Sequence, residues 1–190
     1  MRQSRRSEIL DAARSIVQRD GVRLLTYEAL AQQTGLTKGG ILYHFPSRDD
    51  LVLSLHAHVA QQWENAMERA AGAPREDLDA TQRLRAYILA SSDPDRAELM
   101  LLLESAEDPR AREIWDAAYH RWAPELPESL ASETLASESE LLPFLARLAA
   151  DGLWMYGAAV PGSFDAEQRH RLVQAITRWA GESPAPPTPQ

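Results

Sequence analysis

The segment TYEALAQQTGLTKGGILYHFPSR, residues 26–48, constrains the fold of this chain more than any other. Thr26 and Thr37 are favourable N-cap residues, and each stands at the start of a short run with helical apolar spacing. Between them lies Gly35, at a position where a helix end commonly requires a left-handed backbone conformation. A helix, a glycine turn and a second helix within so few residues predict a helix-turn-helix.

The predicted second helix, Lys38–His44, carries adjacent glycines although each costs about 1 kcal/mol relative to alanine in a helix. This favours a backbone that approaches another molecule, and the N–H groups of a helix N-terminus attract phosphate. Its polar side chains are of kinds that contact phosphates and base edges. The residues predicted to contact DNA are Thr26, Tyr27, Thr37, Lys38, Gly39, Gly40, Tyr43, His44 and Arg48. The alternative is a small helical subdomain with a weak third helix.

Charge is divided unevenly along the chain, whose formal net charge is −8. Residues 1–48 contain eight Arg and Lys against four Asp and Glu, whereas the remainder contains twelve against twenty-four. The predicted helix-turn-helix is therefore basic and the rest is acidic, which favours DNA binding through the N-terminal part alone. Arg2, Arg5 and Arg6 form a basic arm that is predicted either to reach a phosphate or the minor groove, or to be solvated.

The run Leu30–Leu51, with GLTKGGILYHFPSRDDL at its centre, resembles the N-terminal domain of TetR-family transcriptional repressors. The resemblance passes through Gly35, Lys38, Gly39, Tyr43, His44, Phe45 and Arg48, where arginine replaces the more usual lysine. A weaker resemblance, through Leu84–Ala106, Trp115–Trp122 and LARLAADGLW, is to TetR-family regulators that bind drugs and control multidrug efflux. It implies a repressor that is released from a palindromic operator by a small lipophilic aromatic ligand, with a cationic ligand as one option.

The remaining pattern is helical throughout, so we predict an all-α fold. Residues 4–45 are expected to form three helices, and a helix after Pro46 is expected to run to about Gly72. Further helices are predicted at about 80–92, 95–106, 109–122, 138–159 and 165–180. We assign residues 1–46 to a DNA-binding domain and residues 47–182 to a ligand-binding and dimerisation domain, and predict that residues 183–190 are a disordered tail.

Residues 138–159 are apolar on more than one helix face, and their small residues would let another helix approach closely. With residues 165–180, this segment resembles the helix pair that forms the TetR-family homodimer. The predicted dimer contacts are Leu145, Leu148, Gly152, Leu172, Ile176 and Trp179. A purely intramolecular core is the alternative interpretation.

The chain is rich in aromatic and methionine side chains that could line a drug pocket. The predicted ligand contacts are Trp63, Met67, Tyr87, Leu99, Met100, Leu103, Glu104, Trp115, Tyr119 and Trp122. Most such aromatic stripes are ordinary core. Glu104 interrupts an apolar run, so it could receive a cation, reach solvent or pair with an arginine.

Other classes of function find little support in the sequence. There is no cysteine, no paired histidine site, no nucleophile with a base and no phosphate-binding loop, so we expect no metal, no cofactor and no enzymatic activity. No apolar run has the length of a membrane span, and a cytoplasmic protein is expected. The predicted partners are double-stranded operator DNA, a second copy of the chain and a small-molecule inducer. A non-enzymatic helical protein-interaction module is the alternative function.

Overall fold

The computed structural model describes residues 4–125 and 138–181, and side chains from Glu140 onward in the second range. Every regular element in these residues is a helix, which confirms the predicted all-α class. The α-helices are α1 (Arg5–Asp20), α2 (Tyr27–Thr34), α3 (Lys38–His44), α4 (Arg48–Ala71), α5 (Ala80–Ala90), α6 (Arg96–Glu104), α7 (Pro109–Trp122), α8 (Glu138–Ala159) and α9 (Ala166–Gly181). Two 3₁₀ turns occur at Val22–Leu24 and Arg75–Asp77. The predicted tail at 183–190 lies outside the described residues.

The predicted capping residues form the helix-turn-helix. The Thr26 hydroxyl oxygen accepts from the backbone N–H of Ala29 at 3.1 Å, and Thr37 does the same for Gly40 at 3.1 Å. Gly35 has φ 70°, in the left-handed region, and its N–H donates to the carbonyl of Ala31. The local sequence therefore sets both helix starts and the turn between them.

Two helices end two residues earlier than predicted, and a serine follows each end. The hydroxyl of Ser91, after α5, donates to the carbonyl oxygen of Tyr87 at 2.9 Å. The hydroxyl of Ser105, after α6, donates to the carbonyl oxygen of Leu102 at 2.6 Å. The Tyr87 carbonyl also accepts from the backbone N–H of Ser91 at 3.0 Å, so this serine binds it twice. Serine hydroxyls that bind nearby carbonyls in this way compete with the helical pattern, which helps to end each helix.

The described residues pack into two compact units. Unit 1 comprises residues 4–64 and 95–118, and unit 2 comprises residues 65–94, 119–125 and 138–181. The division falls within α4 and within α7. Packing thus groups α6 with the helix-turn-helix, whereas the domain assignment from sequence divides the chain at residue 46.

In unit 1, α1 packs against α2 and α6, and α2 packs against α3. Its fully buried apolar side chains include Ile9, Ile16, Leu30, Ile41, Phe45, Leu51 and Leu55. Helix α3, the second helix of the helix-turn-helix and its predicted recognition helix, is too short to be stable alone, so this core holds it in place.

In unit 2, α8 packs against α9 and α5, and α5 packs against α9. The buried face of α8 carries three alanines, Ala146, Ala150 and Ala158, together with the larger Leu153 and Trp154. Alanines at helical spacing let a neighbouring helix approach closely.

Candidate functional site

The recognition helix α3 has one buried apolar face and one exposed polar face. Ile41 and the following Phe45 are fully buried, whereas Tyr43 is 82% exposed and Lys38 is also exposed. The helix thus docks on unit 1 through its apolar side chains and leaves the predicted DNA-contacting side accessible.

The two glycines of α3 differ in what surrounds them. A Cβ placed on Gly39 would meet no atom within 4 Å, whereas one on Gly40 would lie 3.3 Å from the Thr37 hydroxyl oxygen of the N-cap. Packing within the chain therefore gives a reason for glycine at position 40 only. The open surface at Gly39 is consistent with close approach of another molecule to the backbone.

Lys38, the only lysine in the chain, forms an exposed ion pair with Glu28 of α2. Its Nζ lies 2.6 Å from Glu28 Oε1, and the side chains are 56% and 70% exposed. The hydrogen bond from Lys38 lowers the pKa of the Glu28 carboxyl below its usual value. Exposed pairs of this kind contribute little stability, so Lys38 can exchange Glu28 for a nucleic-acid acceptor at small cost.

Two of the predicted DNA contacts also bind the protein backbone. The hydroxyl of Tyr27 donates to the Phe45 carbonyl oxygen at 2.8 Å, and partial burial raises the pKa of this phenol. A guanidinium nitrogen of Arg48 donates to the Val22 carbonyl oxygen at 3.0 Å. Both residues therefore help to position the helix-turn-helix, whatever else they contact.

Arg6 of the basic arm is bound to the end of the recognition helix. One of its nitrogens donates to the His44 carbonyl oxygen at 2.8 Å, and another donates to Ser54 Oγ of α4 at 2.8 Å. Its guanidinium lies 4.3 Å from the centroid of the Phe45 ring. The sequence does not show that Arg6 reaches back to α3, and the residue remains exposed as well as bound there. Arg5 pairs with Glu8, and Arg2 lies outside the described residues.

The predicted ligand contacts are divided between the two units. Unit 1 contains Trp63, Leu99, Met100, Leu103, Glu104 and Trp115, whereas unit 2 contains Met67, Tyr87, Tyr119 and Trp122. Within unit 1, Leu103 is 63% exposed, and the Met100 methyl carbon lies 3.1 Å from where a Cβ on Gly21 would stand.

Glu104 has a partner within unit 1. Its Oε2 lies 2.9 Å from Nε2 of His56, whose Nδ1 accepts from the indole N–H of Trp115 at 3.0 Å. Because Nδ1 is an acceptor, the proton of neutral His56 sits on Nε2 and points at the carboxylate. Glu104 is therefore hydrogen-bonded by a histidine rather than paired with an arginine, and its side chain is also 35% exposed to solvent.

Unit 2 contains a carboxylate that the sequence pattern did not single out, Asp151 of α8. It accepts a short hydrogen bond from the hydroxyl of Tyr87, which is only 2% exposed. Nε of Arg147, one helical turn earlier, lies 3.6 Å from Asp151 Oδ2. Burial raises the pKa of Asp151 and is also the main cause of the raised pKa of Tyr87.

The guanidinium of Arg147 also faces aromatic rings. It lies 5.5 Å from the centroid of Tyr119 and 5.8 Å from that of Phe144, and one nitrogen donates to the Pro124 carbonyl oxygen at 2.8 Å. Of the predicted ligand contacts, Tyr87 and Tyr119 are thus brought together, around Arg147 and Asp151. The spacing of residues 147 and 151 by one helical turn was the available sequence signal.

Most of the predicted dimer residues form an exposed apolar surface. Leu145, Leu148, Leu172 and Trp179 are between 39% and 50% exposed, and a Cβ on Gly152 would meet no atom within 4 Å. Met155 and Tyr156 add to the same side of α8, at 43% and 52% exposure. Ile176 differs, since it is 7% exposed and belongs to the core of unit 2.

The described residues contain neither a candidate metal site nor a candidate membrane span. No group of three or more His, Cys, Asp or Glu there is arranged to hold a metal ion. Likewise, none of the described helices combines the length and the hydropathy of a membrane span.

Comparison with known proteins gives matches along most of the chain. Residues 9–55 match the family profile "Bacterial regulatory proteins, tetR family", and residues 81–181 match "Tetracyclin repressor-like, C-terminal domain". The HTH-type transcriptional regulator BetI of Burkholderia cenocepacia is 27% identical over 180 residues, covering 90% of this chain and 91% of that protein.

Solved structures share the fold at low sequence identity. A TetR-family transcriptional regulator from Rhodococcus sp. has a TM-score of 0.68 at 18% identity, covering 94% of this chain and 100% of its own. A transcriptional regulator from Saccharomonospora viridis, solved in complex with choline, has a TM-score of 0.66 at 20% identity, covering 93% and 95%. Because the C-terminal profile alone spans more than half of the residues, this chain belongs to the TetR family of transcriptional regulators.

Proposed function

We propose that the protein is a homodimeric repressor that binds a near-palindromic operator and is released from it by a small organic ligand. The observation that carries the DNA-binding part is the exposed face of α3, where Lys38 and Tyr43 are accessible and Gly39 has no neighbour. Each subunit would place α3 in a major groove, with half-sites about one helical turn apart. Lys38 and Tyr43 would contact bases, and Thr37, His44, Tyr27 and Arg48 would contact phosphates.

Selection from random duplexes, followed by footprinting, tests this proposal. The expected product is a DNA sequence with two inverted half-sites, and the bound protein should protect one side of the DNA duplex from cleavage. A protein that binds random duplex as tightly as any selected sequence is not an operator-binding repressor.

The dimer part rests on the apolar surface of α8 and α9. Leu145, Leu148 and Gly152 lie at spacings of three and four residues, which places them on one face of α8. Leu172 and Trp179 of α9 are also exposed, and exposed apolar groups on two helices that pack together are of the kind that marks an interface. A second copy is the proposed occupant because operator palindromes require two-fold symmetry in the protein.

The ligand part rests on the aromatic and acidic side chains of unit 2 and on the choline complex of a structural relative. An organic cation is favoured because the largely buried carboxylate of Asp151 lies next to the Arg147 guanidinium, a cation that itself faces aromatic rings. Ligand must bind the DNA-incompetent conformation more tightly, since equal affinity shifts nothing. Helix α4 follows the recognition helix and contributes residues to both units, so we propose that it carries the change.

Operator release in the presence of choline, a flat aromatic cation such as ethidium and an uncharged analogue tests the ligand part. Release by cations and not by the uncharged analogue is expected. An operator complex that persists in saturating concentrations of bound cation would refute ligand-driven release.

A further inference from the structure

The guanidinium of Arg147 occupies a position in unit 2 that has the components of an organic-cation site. It lies within 6 Å of the ring centroids of Tyr119 and Phe144, at 5.5 and 5.8 Å. Asp151 supplies the negative charge, with Oδ2 3.6 Å from Nε of Arg147. Aromatic faces together with a carboxylate are the groups that recognise ammonium ions without N–H donors.

Asp151 is held in place by a second residue of the same unit. Tyr87, which is 2% exposed, donates its hydroxyl to Asp151 Oδ1, so one carboxylate oxygen is oriented from α5. The other oxygen faces the position that the guanidinium occupies. A carboxylate fixed in this way offers a preorganised charge to whatever cation lies there.

The guanidinium of Arg147 is incompletely hydrogen-bonded in this position. A guanidinium pairs best with a carboxylate through two parallel N–H donors. Here Nε is buried without a hydrogen-bond partner, and its 3.6 Å distance from Asp151 is too long for a hydrogen bond. The unsatisfied donor makes this arrangement weaker than the charges alone would allow. A cation that carries no N–H group leaves no such donor unsatisfied.

We propose that Tyr87, Tyr119, Phe144 and Asp151 form the inducer site for a compact organic monocation, and that Arg147 occupies this site until the ligand displaces it. The inference rests on the proposed ligand-released repressor and specifies its ligand site. The Arg147 side chain is 22% exposed, so it has access to solvent when it leaves. Its departure also breaks the hydrogen bond to the Pro124 carbonyl, which couples ligand entry to the chain after α7.

The charge of the site selects the ligand class. With Arg147 displaced, the four named side chains carry one formal negative charge, that of Asp151. An anion is repelled by it, and a neutral ligand leaves a largely buried carboxylate without compensation. A quaternary ammonium ion restores the charge balance and places methyl groups against the rings.

Helix geometry separates this site from the proposed dimer surface. Arg147 and Asp151 are one turn apart and share a face of α8, whereas Leu148 and Gly152 share another, each offset by one residue. Solvent exposure supports this separation of the two faces, because Leu148 is 49% exposed whereas the Arg147 side chain is 22% exposed. Ligand exchange therefore does not require the dimer to open.

Calorimetric titration of the full chain tests the proposal, with choline as probe and 3,3-dimethylbutan-1-ol, which has the same shape without the charge, as its control. Titrations are repeated at several pH values, because choline binding should require the ionised carboxylate of Asp151. The variants are Asp151→Asn, Arg147→Met and Arg147→Lys, and thermal melting checks that each is folded. Asp151→Asn keeps the shape and the acceptor for Tyr87, so it serves even if Arg147→Met folds poorly.

Three results together are expected. Wild type binds choline and not the neutral analogue, Asp151→Asn weakens choline binding at least about tenfold, and Arg147→Met strengthens it by about tenfold because the competing cation is gone. Arg147→Lys keeps a competing charge and gives no such gain. Equal binding of choline and the neutral analogue, or choline affinity unchanged by Asp151→Asn, overturns the proposal.

Operator binding is measured on the wild-type protein in a separate experiment. If no operator is bound, the repressor proposal fails while the titrations still decide the cation site. If choline binding depends on Asp151 and choline releases the operator, both proposals are supported.

Discussion

The guanidinium of Arg6 donates to the carbonyl oxygen of His44 at 2.8 Å, which links the first turn of α1 to the C-terminus of the recognition helix. The same side chain binds Ser54 Oγ of α4 and covers the Phe45 ring. An arginine from the N-terminal arm thus binds a carbonyl at the negative end of α3 and joins three helices of unit 1.

Replacing Arg6 tests whether it positions α3 or contacts DNA. Arg6→Met should lower the free energy of unfolding by about 1 kcal/mol and weaken operator binding, because α3 loses a partially exposed, charge-assisted hydrogen bond. The slope of log affinity against log salt should not change. Loss of a direct phosphate contact would instead reduce that slope by about 0.9. Arg5→Met, which removes the same charge from a residue paired only locally with Glu8, is the matched control.

Gly39→Ala should affect stability and DNA binding in opposite directions. The new methyl group meets nothing within 4 Å, and alanine favours the helix by up to about 1 kcal/mol, so the melting temperature should rise. Operator affinity should fall if the DNA backbone approaches there. Gly40→Ala is the comparison, since its methyl would lie 3.3 Å from the Thr37 cap and should give no such gain. An unchanged operator affinity for Gly39→Ala would show that the glycine is not needed for DNA contact.

Lys38 and Arg48 should differ in what they contribute to operator binding. Lys38→Ala should reduce discrimination between operator and random duplex, because a base contact is lost. Arg48→Ala should weaken binding to all sequences and reduce the salt slope by about one unit. Titrations of both duplexes at several salt concentrations distinguish these effects. If Lys38→Ala lowers the affinity for operator and for random duplex equally, Lys38 does not contact bases.

Gly152→Leu tests the proposed dimer surface. The protomer has open space at this position, so the substitution should leave the helical content unchanged and should dissociate the dimer if another helix crosses there. Light scattering should then give the 21.2 kDa mass of one chain. Gln174→Leu, on a side of α9 away from Leu172 and Trp179, is the control and should remain a dimer. A Gly152→Leu protein with twice the chain mass would place the interface elsewhere.

Asp151 should make stability depend on pH in a defined direction. Its pKa in the folded protein is raised above the ordinary 3.8, chiefly by burial. The folded state therefore holds more protons than the unfolded state just above that pH, and this contribution lowers stability as pH rises through the window. In Asp151→Asn it is absent, so the stability of wild type relative to this variant should decrease as pH rises above 3.8. Denaturant unfolding at a series of pH values measures it, and a difference that increases with pH would contradict the assigned shift.

The sequence by itself determined the local features of this protein. Thr26, Gly35 and Thr37 act through hydrogen bonds and backbone conformations that span four residues or fewer, so the helix-turn-helix could be located before any packing was known. Apolar periodicity gave the helices for the same reason, since it depends only on spacing along one element. The sequence also assigned Leu148 and Gly152 to a dimer interface, because residues 138–159 are apolar on more than one helix face, and that assignment stays a prediction.

The tertiary structure decided which distant side chains meet. Periodicity shows that Glu104 and Asp151 lie on helices, but it does not show that His56 reaches one and Tyr87 the other. The same limit applies to Arg6 and His44, which are separated by 38 residues. Pairing of this kind depends on how helices pack, and the energy of a buried charge depends on its three-dimensional surroundings. For that reason the carboxylate chosen from sequence was Glu104, whereas Asp151, which lies next to Arg147 and accepts a hydrogen bond from Tyr87, was not singled out.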